Sequence, residues 1–434
     1  MKSRKLTSMI MAVVMVLGVS GPVYADEKNN LPNIEVGKIT NYVAQYEGLA
    51  PEDFNQISIV TANTWAKNRI YGQDRFETAN KIADEFCKTN EQLGLTSEYG
   101  KYVYPDCATT KIDTVILANG FNYPDALCAT PLSKTLNAPI LLTHKNNLTP
   151  STKEQIKKMQ VQNVTIVGGE GVVTSQVENE LKSMGLNVNR LGGIDRYETS
   201  YKIALKVSEG RKINGATIVS GIDWHDAMIA SPTAAIKDIP MLLVPIVDNP
   251  ILPQYKELLA SNNLNIDRVY SYGDDITETT PEILKKMIPE SIAHEGGFRN
   301  CFGIGKNKYV NCFDILKHQY DYILPYSVGE NVFMTNGQVF ADSLSVAPLA
   351  AKMSSPIVFG TTVNNGWSKW DEFVNNAEIE TKKTNYPVTP EGSKAFCDKV
   401  VRKISINMRG ITLIGGPTVV PDNASNIFEG IWEY

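Results

Sequence analysis

Short apolar runs and longer amphipathic stretches alternate along most of this chain of 434 residues. Runs such as Thr114–Leu117 and Pro139–Thr143 have the length and the β-branched or aliphatic content of buried strands. Between the runs, apolar residues recur three or four positions apart, which predicts helices; one is expected to begin at Thr149-Pro150. Strands that alternate with helices form parallel sheets covered on both faces. The pattern therefore predicts an α/β fold.

The same pattern occurs three times. Segments that begin at Gly72 and Gly193 share the motif Gly-x-Asp-Arg-aromatic-Glu-Thr, and the segment from Gly305 is a degraded copy with Lys308 at the arginine position. A second block contains a glycine turn and an aspartate, and each copy is followed by Pro-Ile-Leu-Leu or a similar apolar run. Ordered blocks at this spacing predict three tandem modules. The second block occupies residues 119–127, 220–228 and 336–344.

The amino terminus predicts export. Basic residues precede a short apolar stretch, and Val23-Tyr24-Ala25 offers a small-residue cleavage site. No later stretch is long and apolar enough for a membrane helix, so we expect a secreted, cell-surface protein. The predicted segments are a signal peptide at 1–25, an amino-terminal segment at 26–66, and repeats at 67–185, 186–291 and 292–434 (the last one degenerate).

Most of the first motif has the chemistry of a helix start. Asp74 with Glu77, and Asp195 with Glu198, have the spacing of capping boxes, and the aromatic residue between them is expected in the core. A third capping box is predicted at Ser175 and Glu178.

The basic position of the motif is different. A cation at a helix amino terminus opposes the helix dipole. Arg75, Arg196 and Lys308 therefore suggest an anionic partner, either a carboxylate of the protein or a ligand.

The second block ends near the carboxyl edge of a strand, where α/β sheets bind ligands. Asp125 and its equivalents are predicted at helix starts, and Pro131 is expected to open a second helix or mark a kink. The Gly168–Gly171 turn has two interpretations: a phosphate cradle, or, favoured here, a tight turn that needs positive φ.

Cysteine and histidine spacing indicates no metal site and no cofactor. The six cysteines include no Cys-x-x-Cys pair, and the four histidines include no His-Glu-x-x-His motif. In an exported chain disulfides are permitted. Cys87 and Cys107 bracket an insertion of the first repeat, and whether they are paired stays open.

Taken together, the blocks resemble the cell wall binding repeat type 2 family of Gram-positive and S-layer-associated surface proteins. The resemblance rests on Arg69-x-x-Gly-x-Asp-Arg-Phe-Glu-Thr, Asn119-Gly120 with Asp125, Pro139-Ile-Leu-Leu-Thr and Val167-Gly-Gly, and on the matching motif from Arg190. It implies three Toprim-like modules about a pseudo-threefold axis. It also implies non-covalent attachment to an anionic secondary wall polysaccharide, with other surface-layer proteins as further partners.

The resemblance implies candidate binding residues as well. In that family the paired leucines after the proline and a nearby arginine are associated with polymer binding. The positions in this sequence are Leu141, Leu142, Leu242, Leu243, Arg75 and Arg196, with Lys308 in the third repeat. Val358-Phe359 replaces the leucines there, which predicts that the third repeat mainly packs against the other two. Judged from the residues alone, Pro-Ile-Leu-Leu is more typical of a buried core strand than of a binding surface.

Two other functions stay open. One is a wall-acting hydrolase or amidase that uses Asp125 or Asp226 as an acid, and the other is an adhesin or effector that uses the insertions of the repeats. Recurrence of the aspartate in all three repeats argues against the first, and no nucleophile motif is present. We predict a non-catalytic protein that binds neither nucleic acid nor, after signal cleavage, a membrane.

Overall fold

The computed structural model describes residues 66–93, 104, 106–245, 247–261, 266, 268–273, 281–290, 292, 298–301, 312, 315–316, 319, 331–360 and 410–422. The predicted signal peptide, residues 26–65, Lys308, Cys397 and the insertion at 361–400 lie outside these residues. Within the described part of the chain, no helix is both long and apolar enough to cross a membrane.

The described elements alternate between strands and helices, as the apolar pattern predicts. The strands are β1 (Ala66–Ile70), β2 (Thr114–Asn119), β3 (Ile140–Thr143), β4 (Asn163–Val167), β5 (Asn187–Leu191), β6 (Gly215–Ser220), β7 (Met241–Val244), β8 (Arg268–Tyr272), β9 (Phe298–Cys301), β10 (Asn331–Asn336), β11 (Ile357–Gly360) and β12 (Gly410–Ile414). The helices are α1 (Arg75–Phe86), α2 (Ala129–Leu136), α3 (Pro150–Met159), α4 (Ser175–Ser183), α5 (Arg196–Ser208), α6 (His225–Ile236), α7 (Leu252–Leu259), α8 (Pro281–Met287) and α9 (Phe340–Lys352).

Three four-stranded parallel sheets confirm the α/β prediction. Unit 1 has the order β3-β2-β4-β5, unit 2 has β7-β6-β8-β9, and unit 3 has β11-β10-β12-β1. Strands β2, β6 and β10 are buried along their whole length, as expected for inner strands that helices cover on both faces. An axis that relates the three units stays a prediction.

Each sheet takes its last strand from beyond its own sequence repeat. Strand β5 falls in the predicted second repeat but pairs with β4 of unit 1, and β9 pairs with β8 of unit 2 in the same way. Strand β1, which lies at the start of the predicted first repeat, pairs with β12 of unit 3. The first and last parts of the described chain are therefore joined in one sheet.

Three helices that carry the recurrent proline pack against one another between the sheets: α2, α6 and α9. Pro131 lies in the first turn of α2, where its missing N–H would have no helical partner. Pro232 and Pro348, at the equivalent positions, instead lie inside continuous helices. In α6 the Ser231 hydroxyl donates to the Met228 carbonyl, which is the acceptor that the Pro232 nitrogen leaves unused.

Two of the three predicted capping boxes are present. The Asp74 carboxylate accepts from the amides of Phe76 and Glu77, and Glu77 accepts from the Gln73 amide. Asp195 and Glu198 cap α5 in the same way.

The third capping box, predicted at Ser175 and Glu178, is wrong. Thr174 is the residue that precedes α4, and Ser175 is already helical. Glu178 instead pairs with Lys182 and Arg190, because the strand that carries Arg190 brings its guanidinium to the start of this helix.

Cys87 and Cys107, whose pairing the sequence leaves open, are both free thiols. The Cys107 thiol donates to the Phe86 carbonyl at 3.5 Å, and the Lys352 ammonium donates to the Cys107 sulfur at 3.1 Å. Lys352 comes from α9 of unit 3 and is itself buried, so this contact ties unit 3 to the insertion of unit 1.

Candidate functional site

The candidate site lies at the rim formed by the carboxyl ends of the strands in each unit. After β2, the Asn119 side chain accepts from the amides of Phe121 and Asn122 and donates to the Val172 carbonyl. Asn336 makes the corresponding bonds in unit 3, and the Ser220 hydroxyl accepts two turn amides in unit 2. The recurrent Asn-Gly or Ser-Gly block therefore builds a turn of fixed shape.

Two predicted arginines lie at equivalent places on this rim. Arg75 donates from Nη1 to the Gly120 carbonyl at 2.6 Å, and Arg196 donates from Nη1 to the Gly221 carbonyl at 2.6 Å. Both side chains are partly exposed. A guanidinium has five N–H donors, and within the described residues neither arginine has a carboxylate within 4 Å. Each arginine is thus oriented by one bond and keeps further donors available.

The predicted leucines lie beneath the rim. Leu141, Leu142, Leu242 and Leu243 are fully buried in β3 and β7. Their strands end at residues whose carbonyls accept the amides of the turn glycines: Thr143 for Gly120 at 2.9 Å, and Val244 for Gly221 at 3.1 Å. The leucines therefore fix the strand that holds the turn, and the turn orients the arginine.

The recurrent aspartates pack against the glycine that ends the next strand of the sheet. Gly168, Gly273 and Gly415 have φ of 110°, 121° and 112°, which confirms that these turns need positive φ. A Cβ at Gly273 would lie 2.7 Å from Asp226 Oδ2, and one at Gly415 would lie 2.8 Å from Asp342 Oδ2.

The aspartates also face the motif of a neighbouring unit. The Thr199 hydroxyl of unit 2 donates to Asp125 at 2.6 Å. Burial raises the pKa of Asp125, while Thr199 and Arg196 act in the opposite direction. Burial raises the pKa of Asp342 to about 7, and Arg75 of unit 1 lowers it only in part. One predicted partner for the arginines was a carboxylate of the protein. Asp125 and Asp342 are close enough for the arginine charges to lower their pKa values, but neither forms an ion pair with either arginine.

Aromatic residues just before the aspartates meet at the junctions between units. Tyr123 donates its hydroxyl to the Ile222 carbonyl of unit 2 and lies 5.1 Å from the Phe340 ring of unit 3. Trp224 is 8% exposed and packs edge-on against Phe359. These contacts fit a packing role for both rings better than a sugar-binding role. His225, which has no counterpart in the other units, bonds to the Gly337 carbonyl of unit 3.

A feature that sequence reasoning missed lies beside the unit 1 arginine. Phe121 is 57% exposed, the Arg75 guanidinium lies 4.4 Å from its ring centroid, and the His144 ring stacks at 5.3 Å. An aromatic residue directly after the Asn-Gly turn was the available signal, since only the unit 1 copy has one there.

In unit 3, Ser343, Val358 and Phe359, which depart from the repeat, are buried, like their counterparts in units 1 and 2. Val358 and Phe359, which replace the leucines, are buried, and Ser343 bonds to Thr335 at 2.6 Å. The described residues contain no group of three or more His, Cys, Asp or Glu side chains that could hold a metal ion.

The sequence is similar to a known protein family and to two characterised bacterial proteins. The family model described as cell wall binding domain 2 matches residues 69–178, 190–277 and 303–425. The chain is 30% identical to the amidase enhancer of Bacillus subtilis (strain 168) over 327 residues, which are 75% of this chain and 39% of that protein. It is 27% identical to the N-acetylmuramoyl-L-alanine amidase LytC of the same organism, over 64% of this chain and 51% of LytC.

Two solved structures share the fold. Cwp8 from Clostridium difficile matches with a TM-score of 0.61 at 19% identity, over 91% of this chain and 54% of that one. Cwp6 from Clostridium difficile matches with a TM-score of 0.57 at 20% identity, over 87% and 52%. The chain thus spans about half the length, or less, of these relatives. Because the family model matches most of its residues in three segments, the chain belongs to the cell wall binding domain 2 family.

Proposed function

We propose that the chain is a secreted surface protein that attaches non-covalently to the cell wall, and that units 1 and 2 bind an anionic wall polysaccharide. The observation that carries the proposal is the matched pair of rim arginines. Each is held by a 2.6 Å bond to a turn carbonyl and keeps donors free. Planar guanidinium groups in fixed orientations suit the phosphate or carboxylate groups of such a polymer.

The leucines contribute to this site without touching the polymer. They are fully buried, and their strands anchor the turns whose carbonyls hold Arg75 and Arg196. Truncating them would displace the arginines and weaken binding indirectly. Unit 3 supports the other two by packing, and Lys308 is proposed as a weaker cationic contact.

The net charge of −5 does not oppose this role. Attraction by a local cationic group acts over about 10 Å at 0.1 M salt. One oriented cation at the rim of each of units 1 and 2 therefore decides binding there, whatever the net charge of the whole chain.

We propose binding rather than catalysis for this chain, although two of its relatives are named as an amidase and an amidase enhancer. Asp125 and Asp226, the acids of the alternative hydrolase hypothesis, each pack against a glycine turn. The Asp125 carboxylate is engaged by Thr199. A zymogram on wall substrate tests this point, and a lytic band from the purified chain would contradict it.

Co-sedimentation with purified cell walls tests the binding proposal. The protein is expected to pellet with intact walls and to stay in solution once the anionic polymer has been extracted. The double variant Arg75→Ala/Arg196→Ala should lose at least tenfold in affinity and show a weaker dependence on salt.

A matched control removes two positive charges elsewhere. Lys157 and Lys182 are exposed and lie in the last turns of α3 and α4, away from the rim. The variant Lys157→Ala/Lys182→Ala should pellet within about twofold of the wild type. Equal losses in both double variants would show that net charge, and not the rim arginines, drives attachment.

A further inference from the structure

The rim of unit 1 contains an open cavity of about 390 Å³ beside the exposed Phe121 ring. This volume falls in the lower part of the range of small-molecule sites, about 300–1,000 Å³. The cavity is lined on its other sides mainly by the amide side chains of Asn122, Asn146 and Asn147, the His144 ring and the Lys145 ammonium.

The chemistry of these groups suits one class of ligand. Aromatic rings supply a flat apolar face to the C–H side of a sugar, while amide groups both donate to and accept from hydroxyls. The Lys145 ammonium makes no ion pair in the described part of the chain, and Arg75 lies over Phe121 with donors to spare. Cations beside an aromatic face favour a sugar that carries an anionic group.

The Phe121 ring is fixed before any ligand arrives. Phe76, buried in the core, packs edge-on against it at 5.7 Å, and His144 stacks on it at 5.3 Å. The Asn119 side chain holds the backbone of the same turn. A ring held in place loses little conformational freedom on binding.

Unit 2 lacks this combination at the same positions. Ile222 replaces Phe121, Asp223 replaces Asn122, and Pro245 replaces His144. Ile222 is also exposed, by 41%, but it offers no ring face, and Asp223 adds a negative charge that repels an anion. The two rims therefore share the oriented arginine and differ in what surrounds it.

We infer that the Phe121 cavity of unit 1 is a sugar-recognition subsite that takes a pyranose carrying a phosphate group. This inference rests on the proposed attachment to an anionic wall polysaccharide and assigns one of its repeating residues to a specific place. The sugar ring packs against the part of the Phe121 ring that Arg75 and His144 leave exposed, the asparagine amides bond its hydroxyls, and Lys145 with Arg75 binds the phosphate.

Titration with three defined probes, followed by amide NMR shifts, tests the subsite: glucose 1-phosphate, glucose and inorganic phosphate. Glucose 1-phosphate should shift the amides of Phe121, Asn122 and Asn146, and should bind at least tenfold more tightly than either fragment. Phe121→Ala should weaken it at least fivefold, whereas the matched variant Ile222→Ala in unit 2 should change it less than twofold. Lys145→Ala should weaken binding of both phosphate-containing probes.

The outcomes separate the two proposals. The subsite proposal is wrong if inorganic phosphate binds as tightly as glucose 1-phosphate, or if Phe121→Ala binds glucose 1-phosphate as tightly as the wild type does. Either result counts against the subsite even when the protein still pellets with walls. If the wild type fails to pellet with intact walls, the attachment proposal fails, and the NMR titration still decides whether the cavity takes a sugar phosphate.

Discussion

Two junctions of this molecule use the same motif with different results. At the junction of units 1 and 2, Asp125 faces Arg196 and accepts a 2.6 Å bond from Thr199. At the junction of units 3 and 1, Asp342 faces Arg75, and no described residue donates to its carboxylate. Thr78, the counterpart of Thr199, accepts from the Gly72 amide just as Thr199 accepts from the Gly193 amide, but it makes no described bond to the aspartate. Burial then raises the pKa of Asp342 to about 7.

The comparison shows that carboxylates at equivalent positions differ in two respects: Asp342 is buried while Asp125 is only partly buried, and a hydroxyl bond reaches Asp125 alone. A hydrogen bond to the ionised form favours ionisation, and burial opposes it. The arginines offset the effect of burial on the pKa only in part, because each is oriented by a turn carbonyl and not by the carboxylate. The rim cations therefore stay available to a ligand at both junctions, while the stability of the two junctions depends differently on pH.

The largest expected effect is on the pH dependence of stability at the Asp342 junction. Because its folded pKa is raised from 3.8 to about 7, its contribution is fully present below about pH 4 and is lost as pH rises through 7. The loss is at most about 4 kcal/mol. Asp342→Asn removes the titrating carboxyl group and with it this pH-dependent loss. The free energy of unfolding of the variant should therefore exceed that of the wild type by an amount that grows from pH 5 to pH 8.

Urea unfolding of both proteins at pH 5 and pH 8 measures this gain. Asp125→Asn serves as the control for the other junction, where we expect a smaller change because Thr199 bonds to the wild-type carboxylate. A difference between wild type and Asp342→Asn that is the same at both pH values would contradict the prediction.

A smaller effect is expected where the glycine turns meet the aspartates. Gly273→Ala should lower the free energy of unfolding by about 2–3 kcal/mol, because φ is 121° and the new Cβ would lie 2.7 Å from Asp226. Gly168→Ala in unit 1 should cost less, since the nearest atom lies at 3.2 Å.

The control for the glycine variants is Gly171→Ala, where no atom lies within 4 Å of the added Cβ. Thermal unfolding monitored by circular dichroism is sufficient to rank the three variants. Equal costs at Gly171 and Gly273 would mean that close approach to the aspartate is not what requires glycine.

The smallest expected effect compares the two threonines. Thr199→Val removes the hydroxyl that bonds Asp125 and the Gly193 amide, and should cost about 2 kcal/mol. Thr78→Val removes only the bond to the Gly72 amide and should cost about 1 kcal/mol. Unfolding in urea at pH 7 measures both, and a larger cost at Thr78 would reverse the proposed difference between the junctions.

Much of the fold was determined by the sequence alone. Periodicity predicted the α/β class, because buried strands and amphipathic helices differ in repeat length. The helix caps at Asp74 and Asp195 and the positive φ of Gly168 followed from local chemistry, which depends on a few adjacent residues. The family also followed from the order of the three blocks, and the model match confirms it.

Other features were decided by tertiary structure, because they depend on residues far apart in sequence. Glu178 does not cap its helix, since the following strand β5 returns along the sheet and brings Arg190 to it. Pro232 and Pro348 lie inside helices because packing among α2, α6 and α9 outweighs the lost backbone bond. The joining of β1 to β12, the different surroundings of Asp125 and Asp342, and the open cavity beside Phe121 all arise where units meet or strands end. No local pattern predicts which groups arrive there.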